Sequence, residues 1–467
     1  MAITNYAEKD AVVSADIGEE KMAHSEAVPE KDVAVNRDYA GAAPKTDPAE
    51  IRLVRKLDFR IMPMLVVMYF LNYIDRNTLA QARLDNLEKE LGMEGEYQFN
   101  TTISILFVGY VLMQIPSNML ITRIRPSIYM SSWMIIWSIV SACTSLVKSY
   151  SGMVVCRFLL GVTEAPALCI FHKPLPNAHV SITEVAARIA VLYCAQILAT
   201  GFAGLIAAGV FKGLDDARGL SGWRCTTRWL NTSERELAHA RIERDKMGEE
   251  SAKISALEGL RQAVRDKRTW IFCLMQNFHL AACCFNSFFP TVVKTLGFPK
   301  TETLLLTCPP FIFAAAAAIF MGWSSGRHHE RTWHITGGLS VAIVGFIIAS
   351  STLNTAGRYV ACFIFPMGAY SVNSVVIGWV SSTLSQTREK RAVVLAMHNV
   401  AGQIGYIYGA YVWPNYDRPR FAIGFGVSAG FAFGAIVCAW WMRTLLKREN
   451  RRLKEVTGDT IVNYYGY

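Results

Sequence analysis

Charge is scarce in this chain. Of its 467 residues only 18% are Asp, Glu, Lys or Arg, against about 25% in soluble domains, and the mean hydropathy is +0.25. The shortfall is concentrated in runs of about 20 apolar residues, the length a helix needs to cross a bilayer. A water-soluble globular domain is therefore excluded, and a polytopic membrane protein is expected. Cysteines at metal- or redox-type spacing are missing too. The eleven Cys are scattered, mostly singly inside apolar stretches, with no Cys-x-x-Cys, which argues against a disulfide framework or a metal site. There is no Walker A sequence, no His-Glu-x-x-His and no nucleophile elbow, so neither an ATP-driven pump nor an intramembrane protease is expected. No enzyme activity and no cofactor are read from the sequence. Residues 1–50 have no apolar core, so no cleavable signal peptide is expected. They are polar and read as a disordered cytoplasmic tail.

What charge there is sits between the apolar runs. The net charge of +10 is clustered there, as in the positive-inside bias of cytoplasmic loops, and nucleic-acid binding is not expected. Arg52, Arg55, Lys56 and Arg60 precede the first run and place the N-terminus in the cytoplasm. Spans are expected near 61–80, 101–121, 127–147, from 152, 186–210, 269–292 (ending at Pro290), 303–323, 333–352, 357–384, 392–413 and 420–442. Residues 51–223 form an N-terminal half and 269–443 a C-terminal half. Between them a central cytoplasmic loop, 224–268, carries eleven Lys/Arg against eight Asp/Glu, with helical spacing over its later part. GRHHER, 326–331, reads as a basic inner turn in preference to a metal cluster. The tail, 444–467, is expected in the cytoplasm.

Two features break the pattern. Apolar character fails at Phe171, and the following HKPLPNAHVSITEVAAR is too polar to span, with Pro174 and Pro176 inside it. Counting sides of the membrane from the front also puts the central loop outside, whereas counting from the basic C-terminus puts it inside. One crossing, the sixth, is missing between Phe211 and Thr269. Two Asn-x-Ser/Thr sequences occur. Asn231 is expected inside, and Asn100, on the outer side, hugs the second span.

LNYIDRNTLAQAR (71–83), FVGYVLMQIPSNMLITRIRPS (107–127), CRFLLGVTEAP (156–166), TTRWLNTSERELAHARIERD (226–245) and EKRAVVLAMHNVAGQIGYIYGAYVWP (389–414) resemble the fungal anion:cation symporter family. This is the allantoate permease branch of the major facilitator superfamily, and the resemblance covers roughly residues 50–455. It departs from the family after Pro166, where an aromatic- and Gly-rich half-helix is replaced by ALCIFHKPLPNAHVSITEV. It departs again after Arg224, where Cys225 follows directly and a whole helix is absent. A mis-spliced gene model or a decayed gene would leave both scars.

The resemblance implies an all-α membrane protein with the major facilitator fold of two helical-bundle halves, here with about eleven spans. It further implies a midplane cavity, alternating access and residence in the plasma membrane. Asp75 and Glu164 are the candidates for proton coupling, since ionisable groups inside a membrane are costly and usually serve function. Arg76 and Arg157 are candidates for holding a substrate carboxylate in bidentate fashion, and Asn72 belongs to the same polar stretch. Structural ion pairing is the competing reading for all four charges. Asn277, His279 and Asn286 in the seventh span, and Asn373, His398, Asn399 and Gln403 in the C-terminal half, are candidate cavity residues, with interhelical packing and hydrogen bonding as the alternative. The partners expected are a small organic anion (a ureide, vitamin acid or other carboxylate), protons and the bilayer. Efflux of a secondary metabolite, and a non-transporting remnant, stand beside proton-coupled uptake as readings.

Overall fold

The computed structural model describes residues 48–85, 87–120, 126–169, 182–213, 256–328, 330–384, 388–457 and 466–467. Among them every regular element is helical: α1 Pro48–Ala82, α2 Gln98–Leu120, α3 Pro126–Thr144, α4 Tyr150–Cys169, α5 Ile182–Gly213, α6 Ala256–Arg265, α7 Lys267–Ala282, α8 Cys308–His328, α9 Thr332–Ser351, α10 Thr355–Thr383, α11 Arg388–Gly409 and α12 Ala422–Thr457. Six stretches of the described chain are long and apolar enough to cross a membrane: Val191–Gly209, Lys267–Lys294, Lys300–His328, Thr332–Ser351, Thr355–Thr383 and Ala422–Glu455. A closed set of intrahelical hydrogen bonds is what lets a backbone enter lipid.

The expected spans fall on these helices, with three corrections. The seventh span does not end at Pro290. After α7 the chain tightens into a 3₁₀ stretch, Cys283–Phe288, and resumes as a helix over Phe289–Lys294, where Pro290 takes a first-turn position that leaves no hydrogen bond broken. GRHHER is not all turn, because α8 runs on to His328. The last helix does not stop at the membrane. α12 is 36 residues long, about 54 Å at 1.5 Å per residue, so its basic end projects beyond a bilayer core of about 30 Å. The altered half of the fourth helix (170–181) and the expected gap for the sixth (214–255) lie outside the described residues.

Packing follows one scheme twice. In the N-terminal half α2 packs on α4, α1 on α5 and α3 on α4. In the C-terminal half α8 packs on α10, α7 on α11 and α9 on α10. Bare glycine surfaces allow the closest of these approaches. A Cβ on Gly161 would lie 1.9 Å from the Leu106 carbonyl oxygen, and one on Gly109 2.3 Å from that of Phe158, so α2 and α4 touch backbone to backbone. The C-terminal half has one further layer, α12, seated against both α7 and α9. Its counterpart would sit against α1 and α3, and no described helix takes that place. The halves meet through α5 on α8 and α2 on α11, enclosing a space between them.

Candidate functional site

The space between the halves holds a cavity of about 120 Å³. From the N-terminal half, Tyr69, Tyr73, Arg76 and Asn77 of α1, Phe107 of α2, Arg157 of α4 and Gln196 of α5 face it. From the other half come Gln276, Asn286, Asn373, His398, Asn399, Gln403 and Tyr406. Among the described lining residues the arginines are thus confined to the N-terminal wall, and the C-terminal wall carries amides, a histidine and a tyrosine.

The charged wall holds one ion pair and two charges, Asp75 and Arg157, that do not pair. Arg76 Nε donates to Glu164 Oε1, joining α1 to α4. Asp75 is next to Arg76 in sequence but faces elsewhere. Its Oδ1 accepts from Ser141 Oγ of α3 at 3.0 Å; Arg157 of α4 makes no ion pair with it, and the Arg157 Nε is buried without a hydrogen-bond partner among the described residues. Arg157 and Glu164 are seven residues apart, two turns, and so share a face of α4. Arg76 and Arg157 line the cavity; Asp75, Glu164 and Asn72 lie behind them and do not. The Arg76 guanidinium sits over three rings, Tyr110, Tyr73 and Phe107, at 5.1, 5.2 and 5.5 Å. These π-faces favour a cation where water is scarce. One of its terminal nitrogens, Nη2, is buried without a hydrogen-bond partner.

The neutral wall is built of amides. Gln276 Nε2 donates to Asn373 Oδ1 at 3.0 Å, Gln403 Nε2 to Asn399 Oδ1 at 3.4 Å, and Asn399 Nδ2 to the Tyr110 hydroxyl of the opposite half at 3.0 Å. The side-chain oxygens of Gln276, Gln403 and Asn286 are buried and accept no hydrogen bond. A buried polar atom left unmatched costs about 1–3 kcal/mol, which a ligand donor would recover. Two expected residues are elsewhere. Asn277 donates to the Ala401 carbonyl at 2.7 Å and accepts from the Tyr408 hydroxyl at 2.6 Å, fastening α7 to α11. His279 is fully buried, with Nε2 2.9 Å from the Ala369 oxygen, between α7 and α10. Both are packing residues. The cavity residues the sequence reading lacked are Tyr69, Tyr73, Asn77, Phe107, Gln196, Gln276 and Tyr406. For α1 a signal existed: Tyr69, Tyr73 and Asn77 recur every four positions, with Arg76 beside them on the same face.

The cavity is sealed at the end away from the basic loops. Asn286 Nδ2 donates to Asn77 Oδ1 at 3.0 Å across the halves, and Phe107 stacks on Tyr406 with centroids 4.7 Å apart. Farther out, Asn100 donates to the Ala410 oxygen at 3.0 Å, Ser104 to the Ile407 oxygen at 2.9 Å and Arg83 to Asn415 at 2.8 Å, and Lys300 pairs with Asp85. Asn100 is 1% exposed, so its side chain is spent on the seal and not free for a glycan.

A sequence profile described as the Major Facilitator Superfamily matches residues 65–410. The chain belongs to that superfamily. It is similar to an uncharacterized transporter of Schizosaccharomyces pombe, 27% identical over 438 residues that cover 87% of this chain and 88% of that one. It is also similar to the major facilitator-type transporter hxnP of Emericella nidulans, 28% identical over 452 residues and 89% of each chain. Among solved structures, a bacterial homologue of the human lysosomal transporter Spinster shares the fold at TM-score 0.60 and 15% identity, over 82% of this chain and 96% of that one. This major facilitator protein is accordingly a multi-pass membrane transporter of the secondary type, not an enzyme, and its amide wall and Arg76–Glu164 ion pair lie where its two halves meet.

Proposed function

We propose that the protein is a proton-coupled symporter of a small organic anion, within the allantoate permease-like branch and working by alternating access at the plasma membrane. The supporting observation is that two arginines face the cavity, Arg76 backed by its partner Glu164 and Arg157 without an acid of its own. An entering carboxylate meets Arg76 over its aromatic ring set and competes with Glu164 for the guanidinium, as bidentate carboxylate recognition favours. A carboxylate deprived of its base in a water-poor site is costly. Glu164 then takes a proton, so anion and proton are carried as a neutral pair and released together. Arg157, which holds no internal carboxylate, is a second anchor for the anion, and the amide wall recognises the neutral part of the solute. The size of the cavity and its single charged wall suit a compact acid with an amide- or ureide-like end.

The test is uptake into proteoliposomes loaded at fixed internal pH. Uptake of the transported acid rises as external pH falls and collapses with a protonophore, and Arg76→Gln raises KM by more than about tenfold, the worth of one charge-assisted contact. Uptake indifferent to pH and protonophore contradicts the reading.

A further inference from the structure

Helix α6 precedes the seventh span by a single residue, yet it is not an extension of it. Asp266, between them, is extended (φ −82°, ψ 113°) and caps α7 through the Arg268 amide, and its carboxylate also accepts from Lys390 at the start of α11 at 2.8 Å. The Trp270 indole N–H reaches back to the Val264 carbonyl at 2.9 Å. Together these bonds hold α6 bent against the first turn of α7 and packed on α11, at the level where both helices leave the membrane.

Three stripes run along α6. Gly259 and Ala263, four apart, are buried and form its seat on the protein. About 100° round the helix, Leu260 and Val264 are 41% and 44% exposed, level with Trp270 at 54%. A further 100° round, Arg261 and Arg265 are exposed, followed by exposed Lys267. Glu258 is the one acid on α6 and lies 4.0 Å from Arg261, so Arg265 and Lys267 keep their charge uncompensated along this edge. Among the described residues nothing covers the apolar stripe. Apolar side chains next to cations, at the end of a membrane span, match the boundary between acyl chains and phosphates.

We propose that α6 is a docking surface for anionic phospholipid of the leaflet on the basic side of the protein. Leu260, Val264 and Trp270 enter the upper acyl region, and Arg261, Arg265 and Lys267 hold headgroup phosphate. The inference does not depend on what the cavity carries.

The experiment places a photo-crosslinking benzoylphenylalanine at position 264 of the full chain. The chain is reconstituted in bilayers of equal phosphatidylcholine and phosphatidylserine, and the adducts are identified by mass. Phosphatidylserine adducts are expected to exceed phosphatidylcholine adducts by at least about tenfold, since each basic residue at an anionic surface adds attraction. The R261Q/R265Q/K267Q variant brings the two to parity, R261K/R265K keeps the excess, and excess inorganic phosphate leaves it unchanged. Equal adducts in the parent chain overturn the proposal. So do adducts to a second copy or to this chain's own residues, or an excess abolished by free phosphate.

Discussion

Asp75 and Arg76 are neighbours in sequence with different tasks, because successive residues on a helix point about 100° apart. One reaches α3, and the other the cavity. The same offset separates Gln276, which lines the cavity, from Asn277, which fastens α11. Sequence alone marked Asp75, Arg76 and Asn277 as polar groups at membrane depth and passed over Gln276. It did not tell which of two adjacent polar residues looks inward, because that is fixed by the rotation each helix takes against its neighbours. For the Arg76–Glu164 pair the energetics are asymmetric. Removing one partner strands a buried charge, so Glu164→Ala is expected to destabilise the protein by about 3–5 kcal/mol, whereas replacing both with apolar residues of similar volume costs far less. Thermal unfolding in detergent reads the difference, and equal losses for single and double variants count against the pairing. His279 is a packing residue here, so His279→Asn is expected to lower the melting temperature and leave KM for the solute unchanged. A KM shift of several fold would return it to the site.

Helix ends were less legible than helix centres. A cluster of Lys and Arg marks where the membrane stops, not where the helix stops, which is why α12 and α8 outrun their expected spans. α6 was visible only as a helical stretch within a polar loop, because its role depends on which face the bond from Lys390 to Asp266 turns outward. Two tests belong at this scale. Gly161→Leu would drive a side chain into the α2 backbone at the Leu106 carbonyl. Loss of folded protein on size-exclusion chromatography is expected, since overpacking of this kind costs at least 1–3 kcal/mol. The second concerns pH. Burial alone would raise the Asp266 carboxyl, but hydrogen bonds from Arg268 and Lys390, with the Arg268 charge, outweigh it and hold the carboxyl below the usual range. A depressed acid stabilises the fold above its unfolded pKa, about 3.9, and that stability is lost as pH falls through the lower folded value. The protection factors of the α6 amides, corrected for base-catalysed intrinsic exchange, are therefore expected to be flat from about pH 5 to 8 and to fall in Asp266→Ala, which removes the cap and the Lys390 bond. Protection unchanged in that variant contradicts the assignment.

At the level of the whole molecule, the pairing of helices repeats from one half to the other, with one place unmatched. α12 closes the C-terminal half against α7 and α9, and the corresponding place on α1 and α3 falls to the stretch where the sequence lacks a crossing. The charge count and the unmatched place in the packing agree on one missing crossing in the N-terminal half, which the family resemblance puts at Arg224–Cys225. Transcript sequencing across this junction is expected to reveal a spliced form with about 20 additional apolar codons, one membrane crossing. A uniform message without them leaves the parity of the chain to be met by another route. The two halves also carry different chemistry, ionic in one and amide in the other. Such asymmetry lets a substrate anion be exchanged for an internal carboxylate while the neutral wall reads its shape.

That exchange is the centre of the account, and Glu164 is where it is measured. In proteoliposomes, proton influx recorded with an internal pH dye is expected to accompany anion uptake in the parent protein. In Glu164→Gln, anion exchange between the two sides continues while coupled proton entry and uphill accumulation are lost. Accumulation still driven by the pH gradient in Glu164→Gln, with proton entry undiminished, would contradict it.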